Sequence, residues 1–344
     1  MKKIITPNQL KKKLVLSEKL TKNIENWRET SSKIIHKKNK KILVIVGPCS
    51  IHNYEESLFY AKKLNKLKKK VPNLFLVMRT YFEKPRTTIG WKGFINDPNL
   101  DGSYEIEKGL KKARKLLIKI NDMGIPVSTE FLDPFTPNYI SDLITWGAIG
   151  ARTTESQIHR ELASNLDSII GFKNGTTGDI QIAIDAIKSS NNPHTFLGIN
   201  NDGKTEILKS KGNDNCHIIL RGGKNGPNYY EKDVNEASLL LKKEKIKTGI
   251  MIDASHSNSN KNPENQAKVI KEIAKQIIDG NREIIGVMIE SNIFGGNQSF
   301  VPGVDDAEKL KYGVSITDGC ISFEETEKIL KILNDAIDKI KTAK

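Results

Sequence analysis

Cys49, His256, Glu290 and Asp318 bring together a thiol, an imidazole and two carboxylates, each at or soon after a short apolar run. Donors of these types, drawn from distant stretches, can converge on one divalent cation. Soft sulfur mixed with hard oxygen does not select the metal; manganese, iron, cobalt, zinc and copper all remain open. Singly, each residue has an ordinary role open to it: Cys49 as a small buried residue, His256 as a hydrogen-bonded loop histidine. Together they point to a metal site. A second set is cationic: Arg79, Lys84, Arg86, Arg152, Lys173 and Arg221. Gathering six cations at one place is costly unless anions balance them. Guanidinium forks bind phosphate and carboxylate oxygens in pairs, so two phosphates and a carboxylate suit the set. Glu130 closes another apolar run and is a candidate acid or base.

What must position these residues is a repeated strand. Apolar runs recur at Ile42–Val46, Leu74–Met78, Pro126–Thr129, Ala148–Ala151, Ile169–Phe172, His217–Leu220, Ile250–Ile252 and Ile284–Ile289. Continuous apolar strands are what a sheet buried on both faces requires. Between them, Ser103–Asp122, Pro263–Asp279 and Glu324–Ile340 carry apolar residues at helical spacing. Eight such units predict an α/β chain folded as a (β/α)8 barrel, with active-site groups at the C-terminal strand ends. A doubly wound sheet is the alternative, but it usually brings a glycine-rich dinucleotide loop that is missing here. Residues 1–40 read as an N-terminal helical extension and 41–344 as the catalytic barrel. Residues 194–215 hold a β-hairpin insert around Asn200-Asn201-Asp202-Gly203. Extension and hairpin are candidates for regulation or subunit contact, and a homodimer or homotetramer is expected.

The 344 residues carry a net charge of +14, which admits nucleic acid, an anionic membrane or small anions as partners. The excess is lysine spread over polar faces without interleaved aromatics, which argues against nucleic acid. The apolar runs are too short to span a bilayer, so no membrane partner is expected. Three cysteines make no disulfide framework; a cytoplasmic location is expected.

Several runs then stand in order: Gly47-Pro48-Cys49-Ser50-Ile51-His52, Glu83-Lys84-Pro85-Arg86-Thr87-Thr88, Gly150-Ala151-Arg152-Thr153-Thr154-Glu155-Ser156, Gly171-Phe172-Lys173-Asn174-Gly175, Leu220-Arg221-Gly222-Gly223-Lys224, Asp253 through Lys261, Glu290-Ser291-Asn292 and Ser315-Ile316-Thr317-Asp318. Across residues 41–330 the chain resembles the type I synthases of 3-deoxy-D-arabino-heptulosonate 7-phosphate. The resemblance implies metal-dependent condensation of phosphoenolpyruvate with erythrose 4-phosphate, the first step of the shikimate pathway. It places metal ligands at Cys49, His256, Glu290 and Asp318. Phosphoenolpyruvate contacts fall at Arg79, Lys84, Arg152, Lys173, Arg221 and the Gly150-Ala151 backbone, and erythrose-phosphate contacts at Arg86 and Thr87. Condensation with arabinose 5-phosphate is the rival activity, and the Lys84–Thr88 run argues against it.

The same family is often inhibited by an aromatic amino acid. Pro137, Asn138, Asp167, Phe196 and Gly198 fall at the effector pocket. Asp167 stands where many relatives carry serine, and its charge would repel the effector's carboxylate. Gly198 and the stretch Val301–Tyr312 are similar to the tyrosine-sensitive class. Weak or absent inhibition is therefore expected, with tyrosine the effector if there is one. Cys320, two residues beyond Asp318, would point the same way in an extended segment. It is a candidate for oxidation to a disulfide with Cys49, which would eject the metal.

Overall fold

In the computed structural model, which describes residues 3–342, the apolar runs form eight parallel strands. Residues 1–2 and 343–344, the outer ends of the expected extension and barrel, lie outside the described residues. The strands are β1 (Ile42–Gly47), β2 (Leu74–Arg79), β3 (Val127–Glu130), β4 (Trp146–Ile149), β5 (Ile169–Lys173), β8 (Cys216–Leu220), β9 (Ile250–Asp253) and β10 (Ile284–Asn292). Each pairs with the next in parallel, and β10 pairs back to β1, so the barrel is closed. The two strands omitted, β6 (Thr195–Ile199) and β7 (Thr205–Lys209), are the antiparallel hairpin expected between residues 194 and 215. A two-residue strand, β11 (Ile321–Ser322), adds to the far end of β10.

Alternation within the strands explains why both faces read as apolar. Leu43 and Ile45 point inward with Val77, Trp146, Ile169, Ile219, Met251 and Met288 and make the barrel's inner core. Ile42, Val44 and Val46 belong to the larger core under the surrounding helices. Successive side chains of a strand face opposite ways, and here both ways are buried. The fourth strand departs from its expected position: it begins at Trp146 and ends at Ile149, two residues early. Trp146 is the reason, because its indole fills the inner core and donates to His217 Nε2 at 2.9 Å.

The extension is part of the barrel's base. Helix α1 (Pro7–Lys13) starts with a Thr6–Gln9 capping box and a proline in its first turn. Helix α2 (Glu18–Ile35) is capped by Ser17. Ile34 and Ile35 at the end of α2 join the inner core and seal the mouth opposite the active site. Arg28 fixes α2 by donating to the carbonyls of Ser141 and Ile144. Upstream, Asn8 of α1 bonds the hairpin tip at Asn201 and Asp202, and the Ile5 carbonyl accepts from Tyr139. Among the described residues, no helix is long and apolar enough to cross a membrane.

Candidate active site

Period two along each strand carries the inner core straight into the site. Leu43 and Ile45 lead through Gly47 to Cys49; Val77 leads to Arg79, Trp146 and Ala148 to Gly150, Ile169 to Lys173, Ile219 to Arg221 and Met288 to Glu290. On β9 the same step from Met251 reaches Asp253, a buried carboxylate that the sequence reading had passed over in favour of His256. Counting inward positions from Met251 would have found it.

These residues surround a cavity of about 610 Å³ at the C-terminal mouth. Of the residues expected at a site, Lys84, Arg86, Glu130, Gly150, Ala151, Arg152, Lys173, Arg221, His256, Glu290 and Asp318 line it. Two further cations on its wall, Lys224 and Lys261, were not singled out. Both belong to the segments that carry Arg221 and His256, residues 220–224 and 253–261. Thr87 is exposed on the Lys84–Gly90 loop and does not line the cavity. Cys49 and Arg79 lie beneath the floor, fully buried. Arg79 faces inward to the protein: Nη2 donates to Glu290 Oε1 at 3.1 Å, Nε to the Pro48 carbonyl, and the guanidinium stacks 3.9 Å over Tyr81.

Cys49 Sγ and one carboxylate oxygen each of Glu290 and Asp318 lie within 4.8 Å of one another. Burial, then the charge of Glu290, pushes the Cys49 thiol up to about 11. Such a thiol ionises near neutrality only if a cation joins it. Lys84 Nζ sits 3.2 Å from Cys49 Sγ, and its charge, with that of Arg79, works against the rise. His256 is outside the three-residue cluster but on the same cavity wall. Its Nδ1 faces Asp253 Oδ2 at 2.9 Å and Ser255 Oγ at 2.7 Å, which leaves Nε2 as the nitrogen free to ligate. A carboxylate behind the imidazole is the usual support of a metal-binding histidine. The donor set therefore fits a divalent metal.

Asp253 anchors both groups of residues. Lys173 Nζ donates to Oδ2 at 2.8 Å, and the Ser255 backbone and hydroxyl donate to Oδ1. Burial opposes its charge, but Lys173 and His256 outweigh it and hold the carboxyl well below the usual range. His256 is kept at φ 56°, with its carbonyl accepting from Lys261 N and Ser259 Oγ. A left-handed non-glycine residue costs about 1–3 kcal/mol and marks a site that the surroundings over-determine. At Gly150 a Cβ would stand 2.3 Å from Glu130 Oε1, so only glycine lets that carboxylate lie along the cavity wall.

The model of the DAHP synthetase I family matches residues 15–331. The chain belongs to that family. Among its relatives in the DAHP synthetase I family, the Tyr-sensitive phospho-2-dehydro-3-deoxyheptonate aldolase of Escherichia coli (strain K12) is 48% identical over 99% of this chain and 95% of its own length. The Phe-sensitive enzyme of the same strain is also 48% identical, over 98% and 95%. The solved phospho-2-dehydro-3-deoxyheptonate aldolase from Francisella tularensis SCHU S4 superposes with a TM-score of 0.95 at 48% identity, covering 98% of both chains.

The five residues expected at an effector pocket are spread over segments that the extension touches. Pro137 is buried and Asn138 half-buried in the short helix Pro137–Ile140, which packs on α1. Phe196 and Gly198 lie on β6 of the hairpin, facing Leu208 and Glu206 in register. Asp167 is exposed, and its charge acts on Arg28 of α2. Cys320 is buried next to Cys49.

Proposed function

We propose that this DAHP synthetase I family member condenses phosphoenolpyruvate with D-erythrose 4-phosphate and water, giving 3-deoxy-D-arabino-heptulosonate 7-phosphate and phosphate. The observation that carries the reading is a buried thiol within mutual reach of two carboxylates that line a cavity walled by cations. Cys49, His256, Glu290 and Asp318 would hold one divalent ion, which when bound polarises the aldehyde oxygen of the tetrose. Arg152, Lys173 and Arg221 receive the carboxylate and phosphate of phosphoenolpyruvate beside the Gly150-Ala151 backbone. Their charge balances the phosphate as it leaves, after C3 has attacked the aldehyde carbon and water has added at C2. Lys84 Nζ, 3.2 Å from Cys49 Sγ, lines the cavity beside the metal donors and can pass a proton to the new hydroxyl. Arg86 and Thr87, on the loop at the rim, take the tetrose phosphate. Arg79 supports the site from below by holding Glu290, in addition to the substrate contact that the resemblance implies. Glu130 is the acid or base nearest Gly150.

A coupled assay tests the reading: chelated protein is supplied with both phosphates and then with single metals. Product must appear on metal addition with erythrose 4-phosphate; turnover with arabinose 5-phosphate alone would reject the assignment. We further propose a homodimer or homotetramer, supported by the exposed Val15, Leu197 and Ile207 on the extension and hairpin. Tyrosine or phenylalanine should inhibit weakly or not at all, because Asp167 carries a charge at the effector position. Strong inhibition by phenylalanine would overturn that. We propose that peroxide oxidises Cys320 with Cys49, each thiol losing a proton and an electron as the S–S bond forms and peroxide is reduced to water; the burial of Cys320 beside Cys49 supports it. Full activity after peroxide treatment would exclude it.

A further inference from the structure

Glu290 sits where the sheet runs out on one side. β1 still pairs with it, through Gly47, but β9 makes its last pairing at Asp253, opposite Met288. The Met288 carbonyl accepts from Ala254 N at 2.8 Å, so the backbone groups of Glu290, two residues on, point to the same side. A parallel ladder would continue there with a bond from Glu290 N to β9. The chain of β9 has turned away by then, into the left-handed His256 that lines the cavity. Glu290 is buried, so its N–H and carbonyl would be left without water or strand.

Gln266 fills both positions. It is the first residue of the helix Gln266–Ile278, and its side chain is fully buried. Oε1 accepts from Glu290 N at 2.8 Å, and Nε2 donates to the Glu290 carbonyl at 2.9 Å. The amide has one workable orientation, since the reverse would set nitrogen against N–H and oxygen against carbonyl. One side-chain amide thus stands in for a peptide of the missing strand. With Arg79 on its carboxylate, Glu290 is fixed at both backbone and side chain.

We infer that Gln266 is a positioning residue for the metal site: as a surrogate strand it holds Glu290 in register while β9 departs to deliver His256. The inference rests on the proposed metal reading. Its test titrates metal-stripped, full-length protein with Co(II), reading affinity by equilibrium dialysis and geometry by the thiolate and d–d absorption bands. Gln266→Met keeps the side-chain length and removes both bonds; it should weaken Co(II) about ten- to hundredfold and shift the bands. If that variant does not fold, Gln266→Asn, one methylene short of spanning the two groups, should show the same loss. A residue with a structural role only would lower the melting temperature and leave the Co(II) spectrum unchanged. Wild-type affinity and bands in either folded variant overturn the inference alone. Failure of the unmutated protein to bind Co(II) would instead remove the metal reading and this inference with it.

Discussion

At the scale of single residues, the site is a contest between burial and charge. Cys49 is held protonated by burial and by Glu290, so the thiol is useful only alongside a cation. Cys49→Ala and His256→Ala should each cut kcat by about a thousandfold or more, since a Lewis acid is worth several kcal/mol and each 1.36 kcal/mol is tenfold. Metal content measured beside turnover checks this; near-normal turnover with metal retained would refute the ligand assignment. Asp253 makes a different prediction. Asp253→Asn removes the charge that Lys173 and His256 share, leaving Lys173 buried beside a neutral group. Losing one partner of such a pair costs about 3–5 kcal/mol, so thermal stability and activity should fall together. Loss of activity with an unchanged melting temperature would contradict the shared-anchor account.

Strands and helices set the next level. The indole of Trp146 on β4 donates to His217 Nε2 on β8, and His217 Nδ1 lies 3.0 Å from the Ile218 carbonyl. That arrangement needs neutral imidazole, and burial lowers the His217 pKa to about 4. The group is depressed when folded, so its contribution is complete above the unfolded value near 6.5 and disappears as pH falls toward 4. Over that window about 3 kcal/mol of stability should be lost. Unfolding midpoints from pH 7 to 4 should slope less in His217→Gln than in the parent. At the base, Ile35 of α2 is fully buried in the inner core. Ile35→Ala should cost about 2–5 kcal/mol as a cavity; a shift under about 1 kcal/mol in chemical denaturation would mean that α2 does not seal the mouth.

For the molecule as a whole, the net charge of +14 and the cation-lined cavity act in one direction. Anionic substrates should be drawn in, and salt should screen the attraction beyond about 8–10 Å. KM for both phosphates should therefore rise with ionic strength while kcat changes little. Arg86→Ala, at the rim, should raise KM chiefly for the tetrose phosphate. An effect confined to phosphoenolpyruvate would reassign that arginine.

The sequence by itself determined the eight-strand repeat, because a strand buried on both faces must be apolar throughout and Leu43–Val46 or Ile250–Ile252 show that directly. It also led to the expectation that the cations and candidate metal ligands gather at one mouth, since a barrel places its strand ends together. Tertiary structure alone decided which groups meet. Asp253 and Gln266 act across distances in the chain that no spacing rule covers: 80 residues from Asp253 to Lys173 and 24 from Gln266 to Glu290. The start of β4 at Trp146 was likewise settled by an indole that needed room in the inner core and a partner in His217. Hydrophobic periodicity is a local property and can be read one residue at a time. The pairing of buried polar groups is set by closure of the barrel, which brings together strands that the chain keeps far apart.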